Sequence, residues 1–161
     1  MVGPAYAVIL AMEPRTGTRK PSRRTLTAIA VITASLTLLT ACLGPTQTTA
    51  LDQLNTDRRA NRLSTLSVQA DAQAKAQAWA EKLARENTLY HSNLPDGIHV
   101  RWCSIGENIG YGPSSGAIEA AYMASPPHHA NIVNTKWNGV GIGYATNGNR
   151  VFTVQEFIKT C

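Results

Sequence analysis

The chain has 161 residues and a formal net charge of +5, and its charged residues are unevenly distributed. The first 41 residues contain five Lys and Arg against one Glu, whereas the remainder contains ten Lys and Arg against nine Asp and Glu. The excess positive charge therefore belongs to the N-terminal segment, which excludes a basic DNA- or RNA-binding domain from the rest of the chain. A chain of this length is expected to form one domain.

An export signal is predicted at the N-terminus. Residues 25–41 carry no charge, are rich in Ala, Ile, Leu and Val, and follow the basic run Arg19–Arg24, which is the order of a secretory signal peptide. The stretch ends in Leu39-Thr40-Ala41-Cys42, which resembles the lipobox of bacterial lipoproteins and implies that Cys42 receives a lipid. A type-I signal peptide with an incidental cysteine and an uncleaved membrane anchor are the alternatives. Residues 1–41 are assigned to the signal, within which Met12 is a second candidate start.

The three cysteines fit an exported protein. If Cys42 carries a lipid, Cys103 and Cys161 remain as one pair, and a pair of cysteines in an oxidising compartment is expected to form a disulfide. In the chain-entropy treatment, closing such a long loop stabilises the folded state by about 4 kcal/mol. Two free thiols are the alternative.

The first elements after the signal are a tether and a helix. Residues 43–49 are small or polar and uncharged, and together with Cys42 and Ala50 they are assigned to a lipid anchor and short tether. Residues 51–63 place Leu51 and Leu54 on one face, which predicts a first helix, and Thr49 can cap its N-terminus.

A longer amphipathic helix is predicted over residues 68–88. Ala72, Ala76, Trp79 and Leu83 recur at spacings of three and four residues, which is the pattern of a single buried helical stripe. Because the alanines are small, a neighbouring layer of structure can approach this helix closely.

The next segment alternates between irregular and helical structure. Residues 91–102 contain a turn sequence and are expected to be irregular. Residues 114–124 predict a third, shorter helix with Ser114 or Ser115 as its cap, and Pro126-Pro127 is expected to end it before a further helical turn.

A β-hairpin is predicted at the C-terminus. Apolar residues alternate with glycine over residues 137–145 and alternate again over residues 150–158, and Asn147-Gly148 between them is a two-residue turn sequence. A hairpin preceded by helices indicates an α+β domain with an antiparallel sheet.

Short motifs along the chain resemble the bacterial branch of the CAP superfamily, named after cysteine-rich secretory proteins, antigen 5 and pathogenesis-related 1. The resemblance extends from about Leu51 to the C-terminus and implies one domain over residues 51–161, with a three-layer α-β-α sandwich, an extracellular setting and a central cleft. The motifs are Leu54-Asn55 with Arg58, Ala76 with Trp79-Ala80, His91-Ser92, Gly106-Glu107-Asn108-Ile109, Ser125-Pro126, His128, Asn131-Ile132, Val140-Gly141-Ile142-Gly143, and Gln155 with Phe157.

In this family the cleft gathers two histidines and two acidic residues, which in some members bind zinc or another divalent cation. Carried over by motif, these positions fall on His91, Glu107 and His128, and Ser125 stands at the fourth, acidic position. Two imidazoles and one carboxylate are the ligand set of an open zinc site. The alternative is a buried hydrogen-bonded network that ties the helices to the sheet.

Three functions are compatible with the sequence. The first is a non-enzymatic module that binds a lipid or protein ligand at the cell envelope, since the incomplete set of four cleft residues weakens the argument for chemistry. The second is a metal-dependent hydrolase that uses His91, Glu107 and His128, and the third is a structural envelope protein. No catalytic residue is assigned, no nucleic-acid partner is expected, and we expect a monomer attached to the membrane through Cys42, or a secreted protein.

Overall fold

The computed structural model describes residues 43–161, so the predicted signal peptide and Cys42 lie outside the described residues. No helix within residues 43–161 is long and apolar enough to cross a membrane. In chain order the described elements are helix α1 (Pro45–Ala60), strand β1 (Ser67–Val68), helix α2 (Ala70–Glu86), strand β2 (Trp102–Gly112), helices α3 (Ser115–Ala124) and α4 (Pro126–Ile132), and strands β3 (Gly139–Asn147) and β4 (Arg150–Thr160).

Helix α1 begins at Pro45, so the prediction of a tether over residues 43–49 is wrong, and Thr49 is not the cap. The cap is Gly44, whose N–H donates to Gln47 Oε1 at 2.7 Å. Proline suits the first position of a helix because its missing N–H would have no partner there. The threonine hydroxyl that was predicted to cap the helix instead donates back to the carbonyl of Pro45 at 3.0 Å.

The strands form one sheet in the order β1-β3-β4-β2, in which β1 runs parallel to β3 and the other neighbours are antiparallel. The predicted hairpin is confirmed, but its turn lies one residue later than predicted. Asn147 pairs with Arg150, so the two loop residues are Gly148 and Asn149, and Gly148 takes the left-handed backbone with φ of +58°. Strand β2 was not predicted.

Helix α2 covers one face of the sheet at close range, as its alanine stripe predicted. A Cβ atom on Gly141 would lie 2.1 Å from the carbonyl oxygen of Ala72, and one on Gly143 would lie 2.0 Å from that of Ala76. The glycines of β3 therefore let helix and strand backbones touch.

Helices α1, α3 and α4 cover the other face, so the predicted three-layer sandwich is confirmed. Their apolar residues share one core cluster with alternate residues of β3 and β4, including Leu54, Tyr122, Ile132, Val140 and Phe157. Ser114 caps α3, accepting from the N–H of Ala117 at 3.2 Å, as expected. Pro126-Pro127 ends α3 as predicted, but the two prolines also begin α4 at once.

The predicted disulfide is present. Cys103 at the start of β2 is bonded to Cys161 at the C-terminus, across a separation of 58 residues and with 5.2 Å between the Cα atoms. The N–H of Cys161 also donates to the carbonyl of Arg101 at 3.2 Å. The bond therefore fastens the last residue of the chain to the edge strand of the sheet.

Candidate functional site

Two of the predicted cleft residues are in direct contact. Glu107 on β2 has only 1% of its side chain exposed, and its Oε1 accepts from His91 Nδ1 at 2.7 Å and from the N–H of Ser92 at 3.0 Å. The His91 ring is 60% exposed. Glu107 therefore holds the segment that follows α2 against the sheet, while most of the His91 side chain remains exposed to solvent.

The second histidine is engaged within its own region. His128 on α4 has its Nδ1 2.8 Å from the hydroxyl of Ser125, and its ring packs 5.1 Å from that of Tyr122. Burial lowers the pKa of His128, and the nearby His91 lowers it further. His128 is therefore favoured in its neutral form, hydrogen-bonded to the residue that stands where the family places an acidic side chain.

Between the two histidines, buried amides connect the helices to the sheet. Asn108 Nδ2 donates to the carbonyl of His128 at 3.1 Å and to Gln155 Oε1 at 3.0 Å. Asn131 Nδ2 donates to Asn108 Oδ1 at 2.9 Å. Gln155 Nε2 in turn donates to Glu119 Oε2 at 2.5 Å. Such a chain of satisfied buried polar groups fixes the arrangement of the elements that carry it, which supports the structural interpretation of the cleft.

The donor set does not make a metal centre as it stands. The His91–Glu107 pair has the form of a carboxylate that orients a metal-binding imidazole, and Glu107 Oε2 is buried without a donor from residues 43–161. However, the described part of the chain contains no group of three or more His, Cys, Asp or Glu side chains arranged to hold a metal ion. Metal binding by His91, Glu107 and His128 stays a prediction.

A groove that was not predicted lies between α1 and α3, on the face of the sheet that α1, α3 and α4 cover. We call it the α1–α3 groove. It has a volume of about 480 Å³ and combines acidic, polar and small or apolar side chains. Its lining residues are Thr49, Asp52, Gln53, Thr56, Asp57, Gly116, Glu119, Ala120 and Met123.

Glu119 is the least expected residue of the α1–α3 groove. It is only 6% exposed, and its Oε1 has no hydrogen-bond donor among residues 43–161. Burial raises the pKa of Glu119 to about 8, and Asp57 across the groove contributes to the rise. The sequence did carry a signal, because Glu119 lies next to Ile118 and three residues before Tyr122, at the margin of the buried stripe of α3.

Comparisons with known proteins agree with the fold. An outer surface protein from Borrelia burgdorferi superimposes with a TM-score of 0.62 at 19% identity, covering 71% of this chain and 92% of that protein. A cysteine-rich secretory protein from Staphylococcus aureus gives a TM-score of 0.62 at 17% identity, covering 71% of this chain and 38% of that one. An extracellular protein with an SCP domain from Bacillus anthracis gives a TM-score of 0.62 at 22% identity, covering 74% of this chain and 45% of that one.

The chain thus spans less than half of the staphylococcal and bacillary proteins, and at these identities the likeness concerns the fold alone. A comparison with curated proteins finds no match. Among protein families, residues 51–157 match "CAP: Cysteine-rich secretory protein family". This match covers more than half of the chain and includes His91, Glu107 and His128, and the chain therefore belongs to the CAP family.

Proposed function

We propose that this chain is an exported CAP-domain protein that acts at the cell envelope as a non-enzymatic binding module for a lipid or protein ligand. The signal sequence before Cys42 supports export and a lipid anchor. Structural neighbours described as an outer surface protein and as an extracellular protein support the same compartment. The protein acts as a monomer held at the membrane by Cys42.

The observation that carries the binding function is the α1–α3 groove. Its volume of about 480 Å³ lies within the range of about 300–1,000 Å³ that is typical of small-ligand sites. Gly116, Ala120 and Met123 on α3 supply an apolar or backbone surface, and the facing residues of α1 supply hydroxyl, amide and carboxylate groups. A few polar groups set in a concave surface are what orient a ligand.

The hydrogen bonds of the cleft residues hold elements of the fold together. Glu107 receives two hydrogen bonds that hold the segment after α2 in place, and His128 Nδ1 is paired with Ser125. The Nδ1 atom of each imidazole is engaged by a neighbour within the fold, which ties His91 to β2 and His128 to the N-terminal end of α4. The cleft therefore works as a tie between layers, and the ligand binds in the α1–α3 groove.

The test compares ligand capture by matched variants. The full chain, purified from membranes in mild detergent, should carry about one lipid molecule or one protein ligand per chain, detected by native mass spectrometry. Ala120→Trp fills the α1–α3 groove and should abolish capture. Ala121→Trp is the matched control, because Ala121 is an exposed residue of the same helix outside the lining, and it should retain the ligand.

Three results would contradict the proposal. Capture that is equal in Ala120→Trp and Ala121→Trp would place the ligand elsewhere. Hydrolysis of an envelope polymer that disappears in a Glu107→Ala, His128→Ala double variant would assign the protein to the metal-dependent hydrolases. Absence of any ligand, combined with binding to whole cell walls, would favour a structural envelope protein.

A further inference from the structure

We propose that the α1–α3 groove recognises an organic cation: a protonated alkylamine whose nitrogen lies between Glu119 and Asp57 and whose carbon chain lies against Ala120 and Met123. This inference names the ligand chemistry of the site in the proposed function and rests on that function for its biological setting.

The lining has a one-sided charge. Asp52, Asp57 and Glu119 contribute three carboxyl groups, and no Lys, Arg or His belongs to the lining. Within residues 43–161 none of the three forms an ion pair. Arg59 reaches the rim, but its Nη2 donates to Thr56 Oγ1 at 2.9 Å and leaves the carboxylates unpaired. A concave surface with one sign of charge concentrates ligands of the opposite sign.

Two buried oxygens of the groove lack hydrogen-bond donors among the described residues. Glu119 is 6% exposed, and its Oε2 accepts from Gln155 while its Oε1 has no donor among the described residues. Gln53 Oε1, from the facing helix, is buried and has no donor there either. Buried acceptors are normally satisfied, and an ammonium group supplies three N–H donors and no acceptor. One such group can serve Glu119, Asp57 and Gln53 together.

The remaining lining favours an amine on a carbon chain over other cations. The volume of about 480 Å³ far exceeds that of a bare metal ion, and the described residues hold no group of three His, Cys, Asp or Glu arranged for a metal. Ala120 and Met123 offer apolar surface next to the carboxylates. An alkyl chain gains binding free energy with each CH₂ group that it buries, whereas an anion would meet three carboxyl groups.

Cation binding should release a proton. Burial, followed by the neighbouring Asp57, raises the pKa of Glu119 to about 8, so Glu119 holds a proton near neutral pH in the free protein. The other charged or titratable groups around it are Asp52 on α1 and Tyr122 on α3, and burial raises the pKa of Tyr122. An alkylamine, like lysine, keeps its charge to about pH 10. Affinity should therefore rise between pH 6 and pH 8.

The experiment is a calorimetric titration of the full mature chain in detergent micelles. Pentylamine is the probe, and pentanol is its neutral counterpart of similar size. We expect pentylamine to bind at one equivalent and pentanol not to bind measurably. Titrations in buffers of different ionisation enthalpy should show that a proton is released on binding. A capped tripeptide with a central Lys, compared with its norleucine counterpart, distinguishes a lysine side chain of a protein from a free amine as the source.

Three variants test the assignment. Glu119→Gln keeps the side-chain shape and the acceptor for Gln155 but removes the charge. It should weaken pentylamine binding at least tenfold and abolish proton release. Asp57→Asn should weaken it less. Glu81→Gln is the matched control, because this exposed residue of α2 lies on the opposite face of the sheet. It should leave pentylamine affinity and proton release unchanged. Melting curves check that each variant is folded.

The inference is overturned if Glu119→Gln binds pentylamine as tightly as the unmodified chain, or if pentanol binds equally well. It is also overturned if the folded chain gives no heat with any amine, in which case Glu119 and Asp57 only share a proton. Failure of the amine, with groove-dependent capture of an envelope ligand intact, would leave the proposed function standing. Amine binding without any captured envelope ligand would support the inference and contradict the proposed function.

Discussion

Three glutamates of this domain are buried, and two of them have a basic or imidazole partner within the fold whereas the third does not. Glu156 on β4 faces Lys75 of α2, with 3.4 Å between Nζ and Oε1, and Glu107 is 2.7 Å from His91. Glu119, on the other face of the sheet from Glu156, faces Asp57 instead. Since consecutive residues of a strand point to opposite faces, Gln155 contacts Glu119 while Glu156 contacts Lys75.

The comparison separates a structural carboxylate from one that awaits a ligand. Burial raises the pKa of both Glu119 and Glu156 to about 8, but the neighbouring charge acts in opposite directions: Lys75 lowers the pKa of Glu156, and Asp57 raises that of Glu119. Both oxygens of Glu156 also lack a hydrogen-bond donor among the described residues, so Glu156 differs from Glu119 in having a cation of its own fold, Lys75, beside it. A buried acid beside a second acid and an open groove is completed only by a cation from outside.

Removing the internal cation should have the largest effect. Lys75→Met leaves Glu156 buried without its partner and also loses the hydrogen bonds from Nζ to the carbonyls of Asn93 and Leu94. We expect a loss of about 3 kcal/mol in the free energy of unfolding at pH 9, where Glu156 is ionised because the pH exceeds its pKa of about 8, since breaking one side of a buried pair strands the other. Urea denaturation measures this loss. Lys82→Met, on the same helix, is the control.

A loss below about 1 kcal/mol for Lys75→Met would contradict the assignment of Glu156 as a structural carboxylate, since stranding a buried charge costs more than that. The loss should also shrink at low pH. There Glu156 takes up a proton and no longer needs the partner.

The second prediction concerns the dependence of stability on pH. Glu119 has a pKa of about 8 when folded, against an ordinary value of 4.5, so the folded chain binds more protons between these values. Stability therefore falls as the pH rises from about 5 to about 8, by up to about 1.4 kcal/mol per pH unit for this group. Glu119→Gln should be more stable than the unmodified chain by about 4 kcal/mol at pH 8 and equal to it at pH 4.

Glu156→Gln provides the contrast for this measurement. The pKa of Glu156 is also raised to about 8, so its removal should change the pH dependence of stability in the same way. However, it also leaves the buried Lys75 without its partner, which should offset the whole curve to lower stability. Urea denaturation from pH 4 to pH 9 measures both curves. Coinciding curves for the two variants would break the distinction between the two glutamates.

A smaller effect is expected at Asp57. Coulombic repulsion by Asp57 is the second cause of the raised pKa of Glu119, after burial. Asp57→Asn should lower that pKa and stabilise the chain by about 0.5–1 kcal/mol at pH 8, since like charges in contact cost free energy. The same denaturation series measures it. A gain as large as that of Glu119→Gln would mean that repulsion, not burial, dominates.

Much of the fold was accessible from the sequence, but not all of it. The alanine stripe of α2 and the C-terminal hairpin follow from side-chain periodicity, and the layer order followed from the family resemblance. Strand β2 escaped because glycine recurs along it and hides the alternation. At Gly110 a Cβ atom would lie 2.9 Å from Ile118 and Tyr122, so packing against α3 dictates these glycines, and packing is not visible in a sequence window.

The candidate sites differ in the same way. The contact between His91 and Glu107 follows from motifs that the family resemblance identified. The α1–α3 groove could not be predicted in this way, because Glu119 and Asp57 lie 62 positions apart and meet only when two helices pack. A glutamate beside an apolar helical stripe is ordinarily a solvated residue, and only the burial of Glu119 against Gln155 distinguishes it.

The smallest effect is expected for zinc at the cleft, where Glu107 already has donors from its own chain. Calorimetric titration of zinc into the chelator-treated chain at neutral pH should give at most weak binding, because Glu107 Oε1, the carboxylate of the predicted ligand set, already accepts from His91 and from the N–H of Ser92. A His91→Ala, His128→Ala variant should give the same trace. Binding that vanishes in this variant would instead make Glu107 the carboxylate that orients a zinc-bound His91, and the hydrolase hypothesis would then replace the binding module.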